Sequence, residues 1–194
     1  GRRPGADRRA QATGASVPTA DTSAFSSGED PWYDASQVTV QSGTITVSSS
    51  NLVPAGNIAV NAPDIALASF QVEVKGEPVS VGAMVFNFLL SNGTSGTVAT
   101  GNTTEVTNVT LVKEDGTILA GSVDGTNVSA NLDGIFTFSS SVTFPVGTTK
   151  IRMLGKMGTA FVSNETFQAS TTPSTKWTSI TGQTTGNTIT AAPT

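Results

Sequence analysis

The 194-residue chain contains no cysteine and no histidine. Without cysteine there is neither a disulfide nor a thiolate metal site, so packing alone must hold the fold together. Without histidine the chain lacks the side chain that titrates near neutral pH and the commonest metal ligand, which excludes most nucleophilic triads and zinc sites. Charge is scarce too: Asp, Glu, Lys and Arg make up 12% of residues, and the formal net charge is −4. An acidic chain without a basic face is a poor general binder of nucleic acid, whose affinity rests on neutralised phosphates. No apolar run approaches the roughly 18 residues a membrane-spanning helix needs. The chain begins at Gly1 instead of Met, so the expectation is a processed or trimmed chain, with any secretion signal outside the given residues.

What is abundant is hydroxyl. Ser and Thr supply roughly a quarter of the chain, well above ordinary usage. Such a surface costs less to desolvate than a charged one, which suits a protein packed against copies of itself; Thr also fits the pleat of a strand. Residues 1–36 are rich in Gly, Ala, Ser, Pro and Arg and lack apolar periodicity, so they read as an extended polar tail that cannot bury enough surface to fold alone. Four of the five arginines (Arg2, Arg3, Arg8, Arg9) open this tail, and Glu29, Asp30, Trp32, Tyr33 and Asp34 close it.

From residue 37 onward the pattern is that of strands, and residues 37–194 read as one β domain. Val38 and Val40 alternate with polar residues; Ser42 and Gly43 break the phase, and Ile45 and Val47 resume it on the other parity. Phe70, Val72 and Val74 face inward in a strand from Ile65. Met84–Leu90 is apolar on both parities, the mark of a central strand buried on both sides. Asp-Gly at 115–116, 124–125 and 133–134 signals hairpins. Further strands are expected at Val142–Val146, Ile151–Met153, Ala160–Phe167, Trp177–Ile180 and Thr188–Ala191. Short strands with turn signals every 8–12 residues or so predict an all-β antiparallel sandwich.

Four segments carry a resemblance: GTITV (Gly43–Val47), LASFQVEVKGEPVSV (Leu67–Val81), NVTLVKEDGTIL (Asn108–Leu119) and GIFTFSSSVTFPVGTTKIRM (Gly134–Met153). Over about residues 43–170 the pattern resembles immunoglobulin-like modules of large surface and S-layer-type proteins of candidate-phylum bacteria. The resemblance implies an immunoglobulin-like sandwich secreted to the cell surface. It departs from that pattern in having one module and a distinctive tail instead of a long array.

Carboxylates are the remaining catalytic candidates, since a glycosidase needs only two across a cleft. Five of them, Glu77, Glu114, Asp115, Asp124 and Asp133, lie within two residues of Gly or Pro in turns, where a structural role is the stronger reading. No Asp-x-Asp-x-Asp loop suggests calcium. No enzyme, cofactor or metal site is therefore expected. Asn92, Asn102, Asn108, Asn127 and Asn164 each open an Asn-x-Ser/Thr acceptor for a glycan, where chance alone would supply about three such matches. The expected function is that of a structural subunit of an extracellular polymer, a pilus-like filament or surface lattice, whose partners are copies of itself. Trp32, Tyr33, Val38, Val40, Ile45 and Val47 are the expected contact residues, joined by strand addition to a neighbour. The alternative for Ile45 and Val47 is the first strand of their own domain. A carbohydrate-binding or adhesive module, recognising glycans or a host surface, and a viral capsid protein whose basic arm grips RNA are the competing readings.

Overall fold

The computed structural model describes residues 42–92, 102–129 and 133–193. Its strands are β1 (Thr44–Ser49), β2 (Ile65–Lys75), β3 (Val79–Ser91), β4 (Val106–Lys113), β5 (Ile118–Val123), β6 (Thr126–Ser129), β7 (Asp133–Phe138), β8 (Val142–Phe144), β9 (Gly147–Met157), β10 (Thr166–Ser170), β11 (Trp177–Gly182) and β12 (Ala192–Pro193). A single helical turn, α1 (Pro173–Lys176), and a 3-10 turn at Thr103–Glu105 complete the elements. The first sheet has the order β12-β1-β2-β9-β4-β5; the second has the order β10-β3-β7-β6, with β11 and β8 also paired to β3. Only the short β1–β12 pairing is parallel. The all-β antiparallel sandwich predicted from the alternation and turn spacing is the architecture found.

The second sheet is built around the 13 residues of β3. One flank pairs with β11 near its start and β10 near its end, the other with β8 and then β7. Met84, Phe86, Phe88 and Leu90 are buried, whereas Leu89 is 39% exposed and Val85 and Asn87 are half-buried. The strand is central, as expected, but it is buried on one face only. The buried parity also changes along it, from Val79 and Val81 to Met84 and beyond. The slip lies at Gly82 and Ala83, opposite Ser179, which takes a φ of 53° between the paired residues Thr178 and Ile180. The paired strand changes phase at the same place, from Trp177 to Ile180, and the register between the two strands is unchanged.

The core is aromatic where the sheets meet. Phe86 lies 5.1 Å from Phe70 of the facing sheet, 5.9 Å from Phe138 and 6.0 Å from Trp177 (centroid distances). Trp177 is buried, and its indole N–H donates to Thr171 Oγ1 at 3.1 Å, which in turn donates to the Val85 carbonyl at 2.8 Å. Burying the indole thus leaves no unpaired donor.

Several local expectations are corrected. Asp115-Gly116 does make the hairpin turn between β4 and β5, with Asp115 Oδ1 accepting from the Thr117 N–H at 2.8 Å. Asp124-Gly125 instead carries the chain from the edge of one sheet to the edge of the other, and Asp133-Gly134 lies inside β7. A strand predicted over Ala160–Phe167 is mostly loop, and β10 starts only at Thr166. The reason is local: Glu165 Oε2 accepts from the Val162 N–H at 2.9 Å and the Glu165 N–H donates to the Val162 carbonyl at 3.3 Å, so a turn outcompetes the ladder. The strand around Ile151–Met153 is longer than expected, running over all of β9, because alternate side chains from Ile151 to Met157 stay buried between β2 and β4.

Gly134 shows why a glycine sits in a strand. It faces Phe88 in the β3–β7 register, and a β-carbon there would fall within the Phe88 ring. That ring is itself confined, stacking at 4.3 Å on Phe136 and 5.5 Å on Phe167. Gly134→Ala is therefore expected to destabilise the domain by about 1–3 kcal/mol, the cost of overpacking a closed core. Urea denaturation of the two chains measures this, and equal midpoints would refute it.

Candidate functional site

The sandwich has two ends of different character. At the base, β1 begins, β2 turns into β3, and β11 runs out into the chain leading to β12. Here Glu77, in the Gly76-Glu77-Pro78 turn, is only 6% exposed. Its Oε2 accepts from the backbone N–H groups of Thr184 (2.7 Å) and Thr185 (2.8 Å), and its Oε1 accepts from the Thr185 hydroxyl (2.7 Å) and the Gly43 N–H (3.2 Å). The carboxylate thus ties the start of β1 and the β11–β12 connection to the turn between the sheets. Room for it comes from Gly43 and Gly182, where any β-carbon would collide with the Glu77 side chain. The Thr185 hydroxyl first, then the Thr185, Thr184 and Gly43 N–H groups, favour the ionised form and outweigh desolvation, bringing the pKa from 4.5 down to about 2.

The opposite end, the apex, holds an open cleft of about 880 Å³ between the β1–β2 and β9–β10 loops. Its lining is mixed: Val53, Ile58, Val60, Leu67, Phe161 and Val162 stand beside Asn57, Ser163, Asn164, Glu165 and Thr166. Ile58 (42%), Val60 (47%) and Val162 (54%) remain exposed. Both walls are fastened by polar contacts. The buried Ser69 hydroxyl accepts from the Val53 N–H at 3.1 Å and donates to the Ser50 carbonyl at 2.8 Å, and the Asn61 N–H donates to the Met157 carbonyl at 2.8 Å. On the other side Glu105 accepts from the Ala160 N–H at 3.3 Å, and Glu165 holds Val162 as described. The loops that flank the cleft are therefore tied to the folded frame.

The sequence-predicted residues fall as follows. Ile45 (1% exposed) and Val47 (5%) lie in the core of their own chain, on a β1 paired to β2, so they are not surface contact residues and the own-strand alternative is the arrangement seen. Trp32, Tyr33, Val38 and Val40 lie outside the described residues. Asn92, Asn108, Asn127 and Asn164 are exposed. Asn102 is half-buried and caps the 3-10 turn through Oδ1, which accepts from the Thr104 N–H at 3.1 Å. Most acids have structural partners: Asp124 accepts from the Asn108 N–H at 2.9 Å and Glu73 pairs with Lys75 at 3.2 Å, beside Glu77, Glu105, Asp115 and Glu165 above. Among the described residues no cluster of three or more acids could hold a metal ion, and no helix is long and apolar enough to cross a membrane. Trp177, the domain aromatic best suited to a sugar platform, is 3% exposed. Neither the Glu77 anchor nor the cleft was singled out from sequence; Gly43, Glu77 and Gly182 are far apart in the chain, and only the Gly-Glu-Pro turn hinted at one part.

No family model matches the chain, and neither does any curated protein or solved structure.

The Glu77 anchor has a definite pH signature. Because its folded pKa lies below the unfolded value, the unfolded chain takes up the proton first, and the stabilisation present above pH 4.5 is lost as pH falls towards 2. The melting temperature of the native chain should drop across this window. Glu77→Gln should melt lower at neutral pH and lack that part of the drop. Parallel melting curves from pH 6 to 2 in the two chains would show the anchor to be unimportant.

Proposed function

We propose that the protein is a structural subunit of an extracellular self-assembling polymer, a filament or surface lattice, joined through its N-terminal segment by strand addition to a neighbouring copy. The observation that carries this reading is the chemistry of the sheet edges. β1, β5, β6, β10, β11 and β12 contain no charged residue, and neither do β3 and β8, whereas β2, β4, β7 and β9 carry Glu73, Lys75, Lys113, Asp133, Lys150, Arg152 and Lys156. Proteins that stay monomeric guard such edges with charges, above all lysine, because unpaired N–H and C=O groups are a template for another strand. Here the edges are left open and partly apolar: Ile118 on β5 is 66% exposed and Val128 on β6 is 60% exposed.

The segment that would pair with such an edge is the one leading into Ser42. With Ile45 and Val47 committed to their own core, Val38 and Val40 supply its alternating apolar residues, and Trp32 and Tyr33 its aromatic contact. The hydroxyl-rich surface and the resemblance to surface modules agree with a secreted lattice or filament. A glycan-binding role lacks an exposed aromatic among the described residues of the domain, and four tail arginines offer only about four phosphate contacts for a capsid arm.

Removing residues 1–40 leaves Gly43, its bond to Glu77 and every described core residue in place. The shortened chain is expected to stay monomeric under conditions where the intact chain forms polymers visible by electron microscopy and sedimentation. Assembly of the shortened chain to the same extent would rule the segment out.

A further inference from the structure

We propose that the outer face of the first sheet, along β9, is a binding surface for a linear acidic polysaccharide, a carbohydrate chain bearing carboxylate or sulfate groups. The proposal is independent of the polymer reading above and holds or fails without it.

The chain is acidic overall, yet the domain separates the two signs. From residue 42 onward there are six lysines and arginines and nine acids. Five of the six cations, Lys75, Lys113, Lys150, Arg152 and Lys156, fall on the adjacent strands β2, β9 and β4, where the one acid is Glu73. Glu73 is taken by Lys75 at 3.2 Å, and Lys113 adjoins Glu114 and Asp115 at the β4–β5 turn. That leaves Lys150, Arg152 and Lys156 of β9, none of which forms an ion pair among the described residues. Ile151, Met153, Gly155 and Met157 alternate with them and are buried, so all three point to the outer face. Arg152 Nε is buried and has no hydrogen-bond partner among the described residues. The guanidinium charge thus has no answering group within the domain, the condition under which a bound anion gains most.

The geometry sets the shape of the partner. Successive outward positions on a strand are about 7 Å apart, so Lys150 and Arg152 lie within one Debye length and act together, and the row from Lys150 to Lys156 spans about 20 Å. Because β9 lies between β2 and β4, this row runs along the middle of a sheet face and not along its rim. Uncharged polar side chains stand beside it. Gln71 is opposite Lys150, with Ser48 opposite Gln71 in turn; Thr110 is opposite Leu154 and Thr107 opposite Lys156. Ser69, opposite Arg152, is spent on Ser50 and Val53. A straight row of cations among hydroxyl and amide groups matches a linear chain of sugars with anionic groups at intervals, paired through its acids and hydrogen-bonded through its hydroxyls. Recognition through charge needs no aromatic platform. Single-stranded nucleic acid, by contrast, binds by stacking its bases on aromatic rings, and the described residues expose none.

The test measures binding of the full-length chain to polygalacturonate, for carboxylate, and to dextran sulfate, for sulfate, by isothermal titration calorimetry. Unmodified dextran, a thymidine oligonucleotide and vesicles containing phosphatidylserine are the comparison probes. Binding to one or both acidic polysaccharides is expected, weaker by about tenfold or more when salt rises from about 50 to about 200 mM, as displacement of counterions by a few cations implies. Lys150→Gln with Lys156→Gln should melt like the native chain and bind about tenfold or more weakly. Lys150→Arg with Lys156→Arg should bind as the native chain does. Arg2, Arg3, Arg8 and Arg9 are also positive, so a variant with all four changed to Gln is measured beside these and should keep the native affinity. Several outcomes overturn the proposal: no binding to either polyanion, equal binding of unmodified dextran, or tighter binding of the oligonucleotide or the vesicles. So does a loss in the arginine pair as large as in the glutamine pair, or a loss that follows the four leading arginines instead of Lys150 and Lys156.

Discussion

The contact between Phe70 of β2 and Phe86 of β3, with ring centroids 5.1 Å apart, joins the two sheets at their centres. In a chain without disulfides, and with ion pairs too sparse to matter, the burial of such rings is the main force available; each removes about 150–250 Å² from water. Around Phe86 the other large side chains take their places: Phe138 and Trp177 on the flanking strands of the same sheet, then Phe144 stacked on Trp177. The length of β3 and its pairing on both flanks follow from having to carry this column from Met84 to Leu90. Charged strand residues are confined to β2, β4, β7 and β9, and the edges are left neutral.

The polar contacts serve a different purpose. Glu77 does not add to the core; it fastens the places where the chain enters and leaves the sandwich, using four donors on one carboxylate. At the other end Ser69, Asn61, Glu105 and Glu165 fasten the two loops that flank an open cleft. The sandwich thus has two unlike ends, a pinned base and an open apex.

Most inward-facing residues of the core were legible in the alternation: Ile45, Val47, Phe70, Val72 and Val74 face inward as read. The failures share a cause. Leu89 and Val85 looked buried because apolar residues occupied both parities, yet burial depends on what covers the outer face, and among the described residues that cover leaves Leu89 39% exposed and Val85 half-buried. Asp133-Gly134 looked like a turn because Asp and Gly favour turns, yet the glycine answers a steric demand from Phe88, 46 residues earlier in the chain. Val162 looked like part of a strand, until the Glu165 side chain took its N–H.

The sequence by itself determined the class of fold and much of what the protein lacks, because period-two alternation, turn residues and the absence of histidine and cysteine are local properties of the chain. Only the tertiary structure decided that Glu77 is an anchor and that a cleft opens at the apex, because both arise from segments separated by tens of residues. The carboxylate meets Gly43 and Thr185 only when the two sheets close, and the cleft exists only because the β1–β2 and β9–β10 loops end at the same edge of the fold.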